Sequence, residues 1–392
     1  MATQFTDEQI ALKELAQQFF GKEVRPVMAE LDARHNPKDC YPYELVRKMS
    51  ELGFKTLPLP EEYGGVGADV VTKALVFTTM CETEIGTAKI MSQCWKVTNL
   101  IVEAGTEDQK KRFLTEFAND PDYVCSVCLT EPDVGSDNVA PYSAPPGQGL
   151  ALKAIPDGDY YVLNGKKDMI SLSGFSKLLL VFTRTDPNKP HRQGMTTFLV
   201  PHDLPGISYG PTYDKMGWRL YPNASIFFDN VRVPKEFMLG KLNGGAEVAA
   251  KMARGSLENP CQILGIIKAI YRIALDHAKK RVQGGKPIIE HPSVGAMLSE
   301  LAMLVDVLEG YLYDIADHVK FDQAFDRKKT RFGTIFSRDC VIRAIVLGLD
   351  ILASAGTMRD HPMEKLVRDG LTLLHGGGTN SLLKVRIVPW LT

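Results

Sequence analysis

The chain has 392 residues, 44% of them hydrophobic and 24% charged, an ordinary globular composition long enough for two or three packed units. Its formal net charge of -1 supplies no basic footprint for a nucleic acid or an anionic membrane. Seven cysteines, an odd number spread over a long chain, read as reduced thiols rather than a disulfide framework.

The N-terminal residues Met1 to Gln9 lack the basic, then apolar, then small-residue order of a secretory signal and are acidic where a transit peptide is basic. Cytoplasm is the expected location. Thr6-Asp7-Glu8-Gln9 is a capping box, and Ile10, Leu12, Leu15, Phe19 and Phe20 follow at helical spacing. The helical pattern runs to about Asn119. The turn Pro60-Glu61-Glu62-Tyr63-Gly64-Gly65-Val66-Gly67 interrupts it, and it resumes from Val70 and again at Thr106-Glu107-Asp108-Gln109.

From about Tyr123 to Phe237 the period changes to short β-branched and aromatic runs separated by Gly, Pro, Asp and Asn. The predicted strands are Tyr123 to Leu129, Tyr160 to Leu163 before the turn Asn164-Gly165, Leu178 to Phe182, Thr196 to Val200, Ser225 to Phe228, and Val231 to Pro234. Ala140 to Leu150, with three prolines and two glycines, is a surface loop. Cys125 and Cys128 form the chain's C-x-x-C. On a strand, side chains three apart point to opposite faces, and neither further zinc ligands nor a helix-opening redox loop accompanies them. They are expected as small buried hydrophobes, and no metal site is expected.

Helical periodicity returns from Ala246. Ile263, Ile266, Ile267, Ile270, Ile273 and Leu275 form the apolar side of a helix ending near Arg281, and residues 290 to 319 and 331 to 355 continue as two more long helices. The most apolar stretch, Cys340 to Leu352, is broken by Arg343 and Asp350, which argues against a membrane span. The expected units are a helical domain over 1–122, a β domain over 123–237 and a helical bundle over 238–392.

Several motifs carry the chemistry. Leu129-Thr130-Glu131-Pro132-Asp133-Val134-Gly135-Ser136-Asp137 joins a strand to a Gly/Ser turn rich in backbone donors. Around it in order stand Pro60 to Gly67, Asn164-Gly165-Lys166-Lys167, Lys215-Met216-Gly217-Trp218-Arg219, Phe228 to Pro234 and Glu364-Lys365-Leu366-Val367-Arg368-Asp369. Six ordered matches across the whole chain resemble the acyl-CoA dehydrogenase family.

The resemblance implies an α+β fold with an N-terminal helical domain, a middle β-barrel or sandwich domain and a C-terminal four-helix bundle. It implies FAD lying between the β domain and the bundle, its dinucleotide end reaching a neighbouring subunit of a homotetramer. An acyl-CoA thioester would be the substrate and electron-transfer flavoprotein the usual acceptor. Carried over by position, Leu129, Thr130, Gly135 and Ser136 line the flavin ring and the nearby thioester, and Ser136, Gly377 and Gly378 touch substrate. Met169-Ile170-Ser171 stands where the family has Trp-Ile-Thr, keeping the hydroxyl and replacing the indole with a thioether. Arg281 matches the arginine that meets the pyrophosphate, and Thr379 matches a threonine near FAD. Gly284, Asp350 and Ser354 depart from the family pattern. Taken singly, the glycines and serines are also ordinary turn residues, and Arg281 an ordinary helix-end cation.

Where the family often has Glu-Gly-Thr, with the glutamate as base, this chain has Gly377-Gly378-Thr379. Members similar to isovaleryl-CoA dehydrogenase place the glutamate near the start of the helix after the β domain, and the matching residue is Glu258. On its own a carboxylate there is also favoured by the helix dipole, by ~0.3–1 kcal/mol. The resemblance thus implies an acyl-CoA dehydrogenase with Glu258 as catalytic base, acting on a branched or cyclic acyl group. The alternatives are a base-less member (1,4-dehydrogenation of a cyclic enoyl-CoA, an enoyl-CoA reductase or a desulfinase) and a flavin-free structural homologue. His375, a lone histidine beside a glycine-rich turn, is expected to be structural.

Overall fold

The computed structural model describes residues 4–135, 144–253, 257–321 and 327–391. Thr6 caps α1 (Asp7–Phe19) through the predicted box, its hydroxyl accepting from Gln9 N–H and Gln9 answering to Thr6 N–H. The chain continues through α2 (Met28–Ala33), α3 (Tyr43–Glu51), α4 (Val70–Cys81), α5 (Ile85–Ala104), α6 (Glu107–Gln109) and α7 (Thr115–Asn119). A second capping box, Thr106 with Gln109, starts α6. The turn at 60–67 is where the helical pattern was expected to break, with a short 3-10 turn at Glu61–Tyr63.

The β domain carries β1 (Cys125–Cys128), β2 (Lys153–Asp157), β3 (Tyr160–Ser171), β4 (Leu178–Arg184), β5 (Met195–Pro201), β6 (Ile207–Tyr209), β7 (Asn223–Pro234) and β8 (Met238–Leu239). They form one 8-stranded sheet in the order β6-β7-β3-β2-β4-β5-β8, with β1 pairing parallel to β4. Cys125 and Cys128 are both fully buried. Of the expected loop at 140–150, residues 140–143 lie outside the described residues, and the remainder is irregular and tied down by His191 N–H donating to Ala144 O at 2.8 Å.

Two expectations about the strands are corrected. Asn164-Gly165 is not a turn between strands but a β-bulge inside the 12-residue β3, where the register with β7 shifts between Leu163 and Gly165. Gly165 sits at φ +142 with a Cβ position only 3.0 Å from Leu152, so the bulge needs glycine. The actual β2–β3 turn is Gly158-Asp159. Likewise the two runs at 225–228 and 231–234 are one strand, β7, with Asp229-Asn230 inside it and Asn164 bonded to Asn230.

The last unit holds α8 (Gly245–Ala253), α9 (Glu258–Lys280), a small hairpin β9 (Val282–Gln283) and β10 (Lys286–Pro287), α10 (Pro292–Phe321), α11 (Arg327–Leu352), α12 (Pro362–Leu373) and α13 (Asn380–Ile387). α9 packs against α10, α11 and α12, and α11 against α10 and α12, which makes a four-helix bundle. α4 packs on α9 and α10, and α5 on β1, so the N-terminal helices wedge between sheet and bundle within one continuous apolar core. The helix through Lys328–Thr357 is long and apolar enough to cross a membrane, yet half of its most apolar window is buried inside the fold.

Candidate active site

A cavity of about 500 Å³ opens where the end of β1, the end of β3, α5, the start of α9, α11 and the loop at 375–377 meet. One wall is Leu129-Thr130 beside Met169, Ile170 and Ser171. Thr130 O accepts from Asp168 N–H at 2.9 Å, which ties the strand end to β3. Behind it the fully buried Lys167 donates to Glu131 at 2.7 Å and to Leu129 O at 3.1 Å, while Leu152 N–H meets the same carboxylate. Glu131 is therefore a buttress, a buried charge paid for by pairing and backbone donors.

Met169 adopts φ +55, an unfavourable conformation for a residue with a Cβ, and remains 53% exposed. Asp168 holds that turn. Burial would raise its pKa, but Tyr213, Ser225, Met169 N–H and Lys166 outweigh burial and hold the carboxyl at about 2. Asn223 completes the wall by donating to Met169 O at 2.8 Å and to Ser171 Oγ at 3.1 Å.

Trp218 and Tyr221 line the cavity from the loop before β7. The indole is fixed from α12, with Trp218 N–H donating to Asp369 at 2.7 Å and Nε1–H to Asp369 O at 3.1 Å. Asp369 belongs to a buried cluster in which Lys365 joins it to Glu84, and Arg368 joins Asp32 to Glu364. The Glu364-to-Asp369 motif is thus the scaffold of the Lys215-to-Arg219 motif. Within that loop Lys215 donates to Tyr221 O and Asn223, each at 2.6 Å, and its burial pulls the ammonium down to about 7.

Glu258 opens α9 and faces α5. Its Oε1 receives Lys89 at 2.7 Å and Ser92 at 2.8 Å, and its Oε2 receives Lys96 at 2.8 Å. Burial would raise its pKa, but Lys89 and then Lys96 reverse that and hold the carboxyl well below the usual carboxylate range. Lys89 also lies over Trp218 and Tyr221, 5.0 and 5.5 Å from the ring centres.

Opposite, His375, Gly376 and Gly377 line the cavity. The loop hangs from Arg338 of α11, whose buried guanidinium donates to Gly378 O at 2.6 Å and also to Gly376 O. Burial, with Arg331 nearby, pulls Arg338 down to about 10. Gly377 has φ +79 with nothing within 4 Å of a Cβ position.

A second cavity of about 230 Å³ adjoins the first, sharing Leu129, Met252 and Arg331, and is also lined by Arg192 and Arg386. Burial, then Arg331 and Arg192, pulls Arg386 down to about 10. Mutually repelling guanidiniums in a half-buried recess make a receptor for an anion.

Family models for the acyl-CoA dehydrogenase N-terminal, middle and C-terminal domains match residues 6–120, 126–231 and 243–391. An acyl-CoA dehydrogenase of Bacillus subtilis is 30% identical over 389 residues, covering 98% of each chain. This chain belongs to the acyl-CoA dehydrogenase family. Like the family it is an oxidoreductase acting on CH–CH groups, and its cofactor is FAD. A cyclohex-1-ene-1-carbonyl-CoA dehydrogenase of Geobacter metallireducens is 27% identical, covering 97% of each chain. The solved butyryl-CoA dehydrogenase of Megasphaera elsdenii superposes with a TM-score of 0.92 at 28% identity over 100% of both chains.

Of the residues expected at the acyl-CoA dehydrogenase site, the cavity brings together Leu129, Thr130, Met169, Ser171, Glu258 and Gly377. Gly135 is exposed outside it, and Ser136 lies outside the described residues. Gly378 is turned toward Arg338 rather than into the cavity. Thr379 is exposed, and its hydroxyl caps α13 by accepting from Leu382 N–H at 3.4 Å. Arg281 is the exposed C-cap of α9. His375, expected to be structural, lines the cavity.

The cavity fits a flavin ring. A strained, exposed Met169 and the Ser171 hydroxyl face a space walled by Trp218, Thr330 and Thr334. Arg281, Asp350 and Ser354 lie exposed outside it.

The sequence reading missed Lys89, Ser92 and Lys96. The signal was present, because polar residues at i, i+3 and i+7 share one face of a helix, and α5 is otherwise mostly buried and apolar. Arg338 and Arg331 gave no such signal. An arginine in a helix of mixed character, such as α11, is ordinarily solvated.

Proposed function

We propose that this chain dehydrogenates an acyl-CoA with a branched or cyclic acyl group, Glu258 removing the α-proton. The observation that carries the reading is that Glu258 is the one carboxylate among the described residues lining the cavity. FAD, when bound, supplies the hydride acceptor. Lys89 and Lys96 keep Glu258 ionised, the state that accepts a proton and the wrong state for donating one, which favours oxidation over enoyl reduction. Substrate entry must loosen that clamp, because a carboxylate held by two ammoniums is a weak base.

Gly377 leaves open space for substituents around the α-carbon. Leu129, Thr130, Met169 and Ser171 hold the ring, and Met169 and Trp218 keep water from it. Arg331 and Arg386 receive the CoA phosphates. Arg281 and Thr379, outside the cavity, serve the dinucleotide of a neighbouring copy in a homotetramer. Electron-transfer flavoprotein is the acceptor and cytoplasm the compartment in this reading.

The test is Glu258→Gln, checked for folding by its melting temperature and followed by anaerobic flavin bleaching with a panel of thioesters that includes cyclohexane- and cyclohexene-carboxyl-CoA. Loss of bleaching by roughly 100-fold or more is expected, within the 10²–10⁴ range of general-base catalysis. Bleaching at full rate would remove Glu258 from the mechanism and leave the base-less 1,4-dehydrogenation.

A further inference from the structure

Beyond Glu258 the cavity continues into a smaller one of about 150 Å³ between α4, α5, α8 and α9. Lys96, Met252 and Glu258 line both, so they form the partition between them. An acyl group whose α and β carbons lie beside Glu258 therefore points its far end into this side pocket. The walls are of two kinds. Val70, Ala74, Phe77, Trp95 and Leu100 give an apolar stem, and Lys73, Lys96, Lys251 and Asn99 give polar ends.

The charges there do not balance. The ammoniums are Lys73, Lys96 and Lys251, and the carboxylates are Glu103 and Glu258. Glu258 is already spent on Lys89 and Lys96. Lys251 caps the carbonyl of Glu103 at 3.1 Å. Lys73, half-buried, makes no hydrogen bond or ion pair with a described side chain, and burial pulls its ammonium down, opposed by Asp69 and Glu103. Asp69 is occupied elsewhere, by Lys320 at 2.7 Å. A purely hydrocarbon acyl group would desolvate that ammonium further and leave it answered only through space, by Asp69 and by the Glu103 carboxylate.

We propose that the acyl group of the substrate ends in a carboxylate, received by Lys73 and Lys96 in the side pocket. The inference rests on the acyl-CoA dehydrogenase reading above and adds the charge of the substrate's far end to it. Binding an anion there would also draw Lys96 away from Glu258, which links recognition of the far end to release of the base.

The experiment uses the FAD-loaded enzyme and pairs of thioesters, each the mono-CoA ester of a short dicarboxylic acid against its ω-amide. The pair differs in charge and hardly in size. We expect kcat/KM and the rate of anaerobic flavin bleaching to favour the acid by roughly 10- to 100-fold, the range for a desolvated charge pair. The acid, and not the amide, should also raise the melting temperature. Lys73→Met should level the two, and Lys73→Arg should keep the preference. Equal or better rates with the amides, while flavin is still bleached, would overturn the inference alone. Failure of every thioester, charged or neutral, to bleach the flavin would overturn it together with the reading it rests on.

Discussion

At Gly377 the absence of the family's usual glutamate is built into the backbone as well as the side chain. A φ of +79 is left-handed, and a residue with a Cβ pays about 1–2 kcal/mol to adopt it. Gly377→Glu should therefore lower stability by about that amount in a denaturant melt, although nothing stands within 4 Å of its Cβ. It should not restore bleaching to Glu258→Gln, because relaxing the strain moves the new carboxylate off the position a base must hold; full restoration would show that the loop still tolerates the family's geometry. Asp168 is the second informative residue. Its folded pKa of about 2 lies below the ordinary 3.8, so its contribution is complete above the unfolded value and fades as pH falls from about 4 toward 2. Integrated over that window the loss is about 2 kcal/mol. Asp168→Asn should flatten the stability profile between those limits, and a slope unchanged from wild type would show that the group does not hold the Met169 turn.

The elements differ in how much of the site they declared in advance. Leu129-Thr130 and Met169-Ser171 were legible because the ends of β1 and β3 carry short motifs that match the family. Glu258 was legible through the family resemblance, which places it at the start of the helix after the β domain, but its state was not. A solvated first-turn carboxylate and one clamped by Lys89 and Lys96 look alike until α5 is laid across α9. The same holds for Arg338, whose role follows from the packing of α11 beneath the loop at 376–378. Arg338→Met would leave two carbonyls without their donor, at about 1–3 kcal/mol for buried groups. Faster amide exchange confined to the segment around Gly376–Gly378, with α11 still protected, is the expected signature. Unchanged exchange there would mean that the loop is held by its own turns. Asn164-Gly165 was misread for a related reason. The dipeptide favours tight turns locally, but pairing of β3 with β7 on both sides of it turns the extra residue into a bulge.

At the scale of the whole molecule, helices, then strands, then helices follow from a period that switches twice along the chain, and burial follows that period. What periodicity does not report is which apolar surface is covered by another copy. Along α11, Phe332, Phe336, Ile342 and Val346 fall on one stripe and are 40 to 47% exposed, and on α10 Met303 and Val307 are 63% and 54% exposed. A monomer seldom leaves an apolar stripe of this kind in water. The stripe is not a lipid face, since Arg343 in its midst pairs with Glu300 of α10 at 2.6 Å. Arg281, matched to the pyrophosphate contact, is also exposed on a lone chain, so under the proposed homotetramer cofactor retention should depend on assembly. If the proposed homotetramer is held by this stripe, Phe336→Asp with Val346→Asp should lower the mass in sedimentation to smaller species. FAD occupancy should fall with it, while the far-ultraviolet helical signal is kept, because neither side chain is in the core of its own subunit. Smaller species that keep a full complement of FAD would separate the two, leaving the stripe as an interface and placing the dinucleotide wholly within one chain.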